Sequence, residues 1–213
     1  MFNVLVPRYY KIAAGGVRIT YDVGDVCWDF VGRLCKRLGI QYCNWTSFYV
    51  SENTNFSPEL VQRACDLLVD ESLYYDMEFY DGIEDILRPW YDLGVKVNFN
   101  SNSPTQAMID LKREQLKAAV PGLRDEDMTF NLIIPNQPSF KTLGDHTMAF
   151  VDDNPYHMLG STARFNIMPK CPWNTSPEGL RILGNRSVTK LDNLRQINEF
   201  VYQRIKFYLE FGC

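Results

Sequence analysis

Residues 19–30 read ITYDVGDVCWDF. The run 17–23, VRITYDV, is β-branched and aromatic, which predicts a strand. It ends on a carboxylate, Asp22, and a second one, Asp25, follows three residues later. Beyond it Phe30, Leu34 and Leu38 recur at helical spacing and Gly39 supplies a stop, so a helix follows the strand directly.

The same rhythm returns along the chain. SPELVQRACDLLVDESL (57–73) opens with a serine cap and a proline at the first helical position, with Leu60, Ala64, Leu67 and Leu68 on one face. DGIEDILRPWYDLG (81–94) predicts a further helix ended by Gly94, and VKVNFN (95–100) a buried strand. SPTQAMIDLKREQLKAAVPG (103–122) predicts a capped helix, MTFNLII and TMAFVDD two strands, RFNIM a short one, and LDNLRQINEFVYQRIKFYLEF a final helix. Strands alternating with helices imply a Rossmann-like α/β fold, a parallel sheet with helices on both faces. Residues 31–80 break the alternation and read as a small helical cap, leaving 1–30 and 81–213 as the core. The first 16 residues are left as a candidate edge strand.

In a parallel sheet, ligands bind beyond the C-terminal strand ends. That rule gathers Asp22, Ser101 and the pair Asp152–Asp153. Taken singly each has a bland reading: Asp22 a turn residue, Ser101 in NSNSP a helix cap, Lys141 a solvated loop lysine, and DDNP turn chemistry. Their order and their placement at strand ends make the case. Clustered carboxylates repel unless a cation lies between them, and Mg²⁺ is the cation that suits oxygen ligands. One carboxylate could also attack phosphorus, with a serine hydroxyl and a lysine holding the phosphoryl oxygens.

The chain has 213 residues and a formal net charge of −4, with 46% hydrophobic and 14% aromatic residues, enough for one packed domain or a domain with a small cap. The mild acidity offers no basic face for nucleic acid. Six cysteines, at 27, 35, 43, 65, 171 and 213, form no C-x-x-C pair, and with two histidines they build no zinc site. They read as reduced thiols. With no signal-like start and no membrane-length apolar run, the expectation is a cytoplasmic protein without membrane contact. The histidines, His146 and His157, read as loop or helix-surface residues.

The Asp22 segment, VNFNSNSP, KTLGDHTMAFVDDNPYHM and FNIMPKCPWNTSPEG together resemble the haloacid dehalogenase (HAD) superfamily of phosphotransferases, and within it the 5′(3′)-deoxyribonucleotidases. YDVGDVCWDF runs parallel to that family's D-x-D-G-V-x-A-D-F stretch, and Trp173 stands where its P-Y-N segment has tyrosine. The resemblance implies a phosphatase acting on nucleoside monophosphates. Asp22 would be nucleophile and metal ligand, and Ser101, Asn102 and Lys141 would hold phosphate. Asp152, supported by Asp153, and the Gly24 carbonyl would complete the Mg²⁺ site. Phe30, Trp45, Phe48, Tyr49, Tyr74 and Tyr75 are candidates for the base pocket, although core packing explains each as well.

The chain departs from the family at Gly24, where the second aspartate, the general acid and base, is expected. Asp25 could replace it through a local backbone shift. Otherwise the protein is a slow phosphatase or phosphotransferase, or a catalytically silent relative that binds a nucleotide or a protein partner. Phosphonate-cleaving members of the superfamily use a cap lysine, for which this cap offers only Lys36. A homodimer is left open as the assembly.

Overall fold

In the computed structural model of the chain, which describes residues 16–91, 93–134, 139, 141, 143 and 146–211, the run 17–23 forms β1 (Arg18–Tyr21), whose last three residues are buried. The candidate edge strand at the N-terminus lies outside the described residues, apart from Gly16. A short loop carries Asp22 to Asp29 and leads into α1 (Phe30–Leu38). Asp29 caps α1 by accepting from the Gly32 N–H at 3.0 Å, and Gly39 closes it at φ 72°, a left-handed backbone that favours glycine. The stretch up to residue 87 holds α2 (Pro58–Leu68), capped by Ser57, and otherwise single 3₁₀ turns.

The helix expected over 81–94 does not form as one piece. It divides into a 3₁₀ turn at Ile83–Asp85 and a short α3 (Arg88–Tyr91). Pro89 explains the break, because it has no N–H to donate to the Asp85 carbonyl and its ring would clash with that carbonyl in a continuous helix. Then follow β2 (Lys96–Ser103), α4 (Gln106–Ala119), β3 (Met128–Leu132) and β4 (Thr147–Val151). The cap of α4 is Thr105, which accepts from Met108 N–H, and not Ser101, which belongs to β2. The C-terminal part comprises α5 (Pro155–Gly160), β5 (Phe165–Pro169), α6 (Pro172–Thr175), α7 (Pro177–Leu183), β6 (Thr189–Leu191) and α8 (Leu194–Phe211). The three short helices and β6 were not signalled by periodicity, each being too brief to repeat.

Among the described residues the strands form one six-stranded sheet, all parallel, in the order β3-β2-β1-β4-β5-β6. The first strand of the described residues therefore sits centrally, which is where such a sheet opens its crevice. Ile19 and Tyr21 are fully buried, and Tyr21 stacks on Phe99 of β2 with ring centres 6.1 Å apart. On α8 the residues Leu194, Ile197, Val201, Ile205 and Leu209 are buried at helical spacing. Burying each such side chain contributes about 1.5–3 kcal/mol. The five described cysteines are free thiols, and no described helix is long and apolar enough to cross a membrane.

Phe99 is 0% exposed beneath the crevice. Phe99→Ala is expected to lower unfolding stability by about 3–5 kcal/mol, read from the midpoint of urea denaturation.

Candidate active site

The register of β1 against β4 creates the site. Tyr21 lies opposite Val151, and Asp22 N–H donates to the Val151 carbonyl at 2.8 Å. The next residue on each chain is therefore an aspartate, Asp22 and Asp152, at the same sheet edge. Asp153 follows, and one oxygen from each of the three carboxylates lies within 4.8 Å of the other two. All three residues are buried.

Lys141 comes in from the segment preceding β4. Its ammonium pairs with Asp22 Oδ1 and with Asp152 Oδ2, the latter at 2.9 Å, and its side chain is only 2% exposed. Burial works to lower the lysine pKa, but Asp152 and Asp22 outweigh it and raise the value. Asp152 also receives the Asn154 N–H at 2.9 Å and faces His157 Nδ1 at 3.0 Å. Burial would raise its pKa, yet the His157 and Lys141 partners hold it at about 2. His157 is thus a buried member of the site, a correction to its reading as a surface residue. It sits one helical turn past the double aspartate, where α5 turns it back onto Asp152.

Asp153 is held differently. Trp173 Nε1–H donates to its Oδ2 at 2.9 Å, and Asn174 Nδ2 donates to its carbonyl at 3.1 Å. Its pKa is raised well above the carboxylate range, first by burial and then by repulsion from Asp152, Asp22 and Asp25. The repulsion on Asp153 from its neighbours is what a cation placed among the three carboxyl groups would relieve. An all-oxygen donor set of this kind fits a hard divalent cation such as Mg²⁺, which Asp22, Asp152 and Asp153 would hold. Gly24 lies in the same cleft wall.

Asp25 adopts φ 53°, a left-handed backbone unusual for a residue with a side chain. Its N–H donates to the Trp28 carbonyl at 2.8 Å, and its Oδ1 accepts from Val31 N–H at 2.9 Å. The carboxyl is 5% exposed overall and lines the cleft with Asp22. Burial raises its pKa well above the usual range, the Val31 N–H opposing, and Asp29 and Asp22 add repulsion. A protonated carboxyl facing a carboxylate can act as an acid.

The cleft, of about 160 Å³, is also lined by Ser101, Asn102, Lys141, Phe30, Trp45, Phe48, Tyr49 and Tyr74. Trp45 contributes a buried indole N–H that has no partner among the described residues. Tyr75 is not brought in. It is 47% exposed and lies with Asp76, Met77 and Phe79 in a separate groove. Lys36 is exposed on α1, outside the cleft. Lys112 of α4 went unnoticed in the sequence, yet it is buried in the cleft, its Nζ donating to Ser101 Oγ and to the Asn102 carbonyl, each at 2.9 Å. The signal was available: Lys112 lies four residues from both Met108 and Leu116 on the apolar face.

Removing the lysine between the two acids isolates the Lys141 contribution. In metal-free buffer Lys141→Met is expected to lose about 3–5 kcal/mol of stability by urea denaturation, since two buried carboxylates then lose the ammonium they share, His157 remaining to Asp152 alone. Millimolar divalent cation is expected to recover part of that loss.

No family model matches the chain, and no curated protein matches it. Among solved structures it is similar to a phosphonoacetaldehyde hydrolase-like protein from Oleispira antarctica, at 14% identity and a TM-score of 0.54, covering 94% of this chain and 96% of that one. A chain provisionally assigned as a beta-phosphoglucomutase from Bacteroides vulgatus shares 12% identity at a TM-score of 0.48, covering 92% of this chain and 97% of that one, too slight a likeness to build on. At 14% identity, what the chain shares with the first of these is the fold, over nearly its whole length.

Proposed function

We propose that the protein is a Mg²⁺-dependent phosphomonoesterase of HAD type that acts on nucleoside monophosphates. The observation that carries the proposal is the convergence of Asp22, Asp152 and Asp153 oxygens within 4.8 Å, in contact with Lys141, at the C-terminal edge of a parallel sheet. The neighbour described as a phosphonoacetaldehyde hydrolase-like protein lends the fold a precedent. The nucleotide assignment draws on the aromatic side chains of Phe30, Trp45, Phe48 and Tyr74 in the cleft wall, against which a base could stack.

In this reading Ser101, Asn102 and Lys141 hold the phosphoryl oxygens. When bound, Mg²⁺ would neutralise charge on the phosphoryl group and reduce its repulsion of Asp22. Asp22 attacks phosphorus, the P–O ester bond breaks with its electron pair, and Asp25 donates its proton to the departing oxygen. Asp25, now a carboxylate, takes a proton from water, whose oxygen attacks the aspartyl-phosphate and frees Asp22 and orthophosphate. Asp25 thus performs the work that Gly24 cannot, and its left-handed backbone sets its carboxyl in the cleft.

Phosphate release from a panel of nucleoside monophosphates with Mg²⁺ tests the proposal. Turnover is expected in the native protein and none above background in Asp22→Asn. Nucleotide binding without release would instead support the silent-binder reading, which the glycine at position 24 favours.

Asp25→Asn keeps a residue that tolerates positive φ and is expected to slow turnover by roughly 10²–10⁴-fold. Formation of the phosphoenzyme, followed as a burst, needs the protonated acid, so it is expected to decline as pH rises through the raised Asp25 value and to show no such limb in Asp25→Asn. A Cβ at Gly24 would approach Trp28 Nε1 to 3.8 Å and Phe30 Cβ to 3.9 Å, ordinary contacts. Gly24→Asp is therefore expected to fit and to restore turnover at least about tenfold when added to Asp25→Asn, within the range of a positioned acid.

A further inference from the structure

Lys112 is a buried charge that the chemistry above leaves unused. It lies on the face of α4 that packs against β2, is 5% exposed, and lines the cleft with Asp22. Its Nζ donates to Ser101 Oγ and Asn102 O, and sits 5.4 Å from the centre of the Tyr74 ring. Asp22 from the end of β1 and Asp25 from the following loop favour its charge, while Lys141 from the segment before β4 opposes it.

Two consequences follow from the donor inventory. An ammonium can only donate, so Ser101 Oγ accepts in this contact and its own hydroxyl proton must point to another partner. The ammonium has three N–H bonds, of which Ser101 and Asn102 take two. Two neutral acceptors alone compensate poorly for burying a full charge, whereas an anion in the cleft compensates well.

We propose that Lys112 is a positioning residue of the anion site: by donating to Ser101 Oγ it turns the Ser101 hydroxyl proton into the cleft toward a phosphoryl oxygen, and it sets a second positive charge beside Lys141. The inference rests on the phosphoryl-site reading above and deepens it. With two lysines at the cleft, a doubly charged phosphomonoester is favoured over a singly charged phosphodiester.

The test is the affinity for inorganic phosphate in the presence of Mg²⁺, by calorimetry on the full chain. Lys112→Met is expected to weaken it roughly tenfold or more, the scale of one hydrogen bond from a charged donor, and Lys112→Arg to retain most of it. Ser101→Ala combined with Lys112→Met is expected to lose less than the product of the two single losses, because the lysine acts partly through the serine. Burial lowers the Lys112 pKa to about 8, so the native affinity is expected to fall as pH rises through that region, and to stay flat in Lys112→Arg. Unchanged affinity in a folded Lys112→Met protein would overturn the proposal and leave the lysine a brace for β2. Should that variant not fold, a flat native profile across pH 8 would overturn it equally. Lys112-dependent phosphate binding without phosphate release from nucleotides would sustain this inference while removing the phosphatase reading. Nucleotide turnover with unaltered phosphate inhibition in Lys112→Met would do the reverse, and a native protein that binds no phosphate would remove both.

Discussion

The ammonium of Lys141, set against the carboxylates of Asp22 and Asp152, is the interaction around which the cleft is organised. Two acids at the ends of adjacent parallel strands are forced together by register, and nearly all water is removed from them. Like charges so placed drive each other toward neutrality unless positive charge lies close by. The lysine supplies it, and in doing so ties the segment ahead of β4 to the centre of the sheet. His157 then braces Asp152 from α5, and Trp173 with Asn174 brace Asp153 from α6. Each carboxylate is thereby fixed by an element other than its own strand.

Part of the cleft wall is of another kind. Phe30, Trp45, Phe48 and Tyr74 come from the segment between β1 and β2, and make it aromatic. That segment is joined to the sheet side by Tyr156, whose hydroxyl reaches Glu52 Oε1 at 3.1 Å and whose ring lies 5.0 Å from that of Tyr49. Charged and aromatic side chains meet in the cleft: Lys112 Nζ lies 5.4 Å from the Tyr74 ring centre, and the Phe48 ring 6.1 Å from that of His157. The exposed Tyr75, although adjacent in sequence to Tyr74, contributes nothing to it.

Most of the fold was legible because strand and helix periods differ. The β-branched runs at 17–23 and 147–151 and the capped, amphipathic helices at 58–68, 106–119 and 194–211 declare themselves locally. The interrupted helix near Pro89 shows the opposite case, where apolar spacing suggested a continuity that the proline forbids. Ser101 shows another: its chemistry suits a cap, but β2 extends to Ser103 and Thr105 takes that place.

Local patterning along the chain was enough to set the alternation of strands and helices, and so the parallel sheet and the crevice at its C-terminal edge, since side-chain periodicity and caps act over a few residues. Asp22, Lys141 and Asp152 were also marked, through their order along the chain. That His157 and Lys112 belong to the cleft, that Asp25 is buried with a positive φ, and that Tyr75 is exposed became visible in three dimensions. Those outcomes depend on packing between elements far apart in sequence. A histidine, a lysine or a tyrosine carries no local mark of whether its neighbours in space will be water, a carboxylate or a ring.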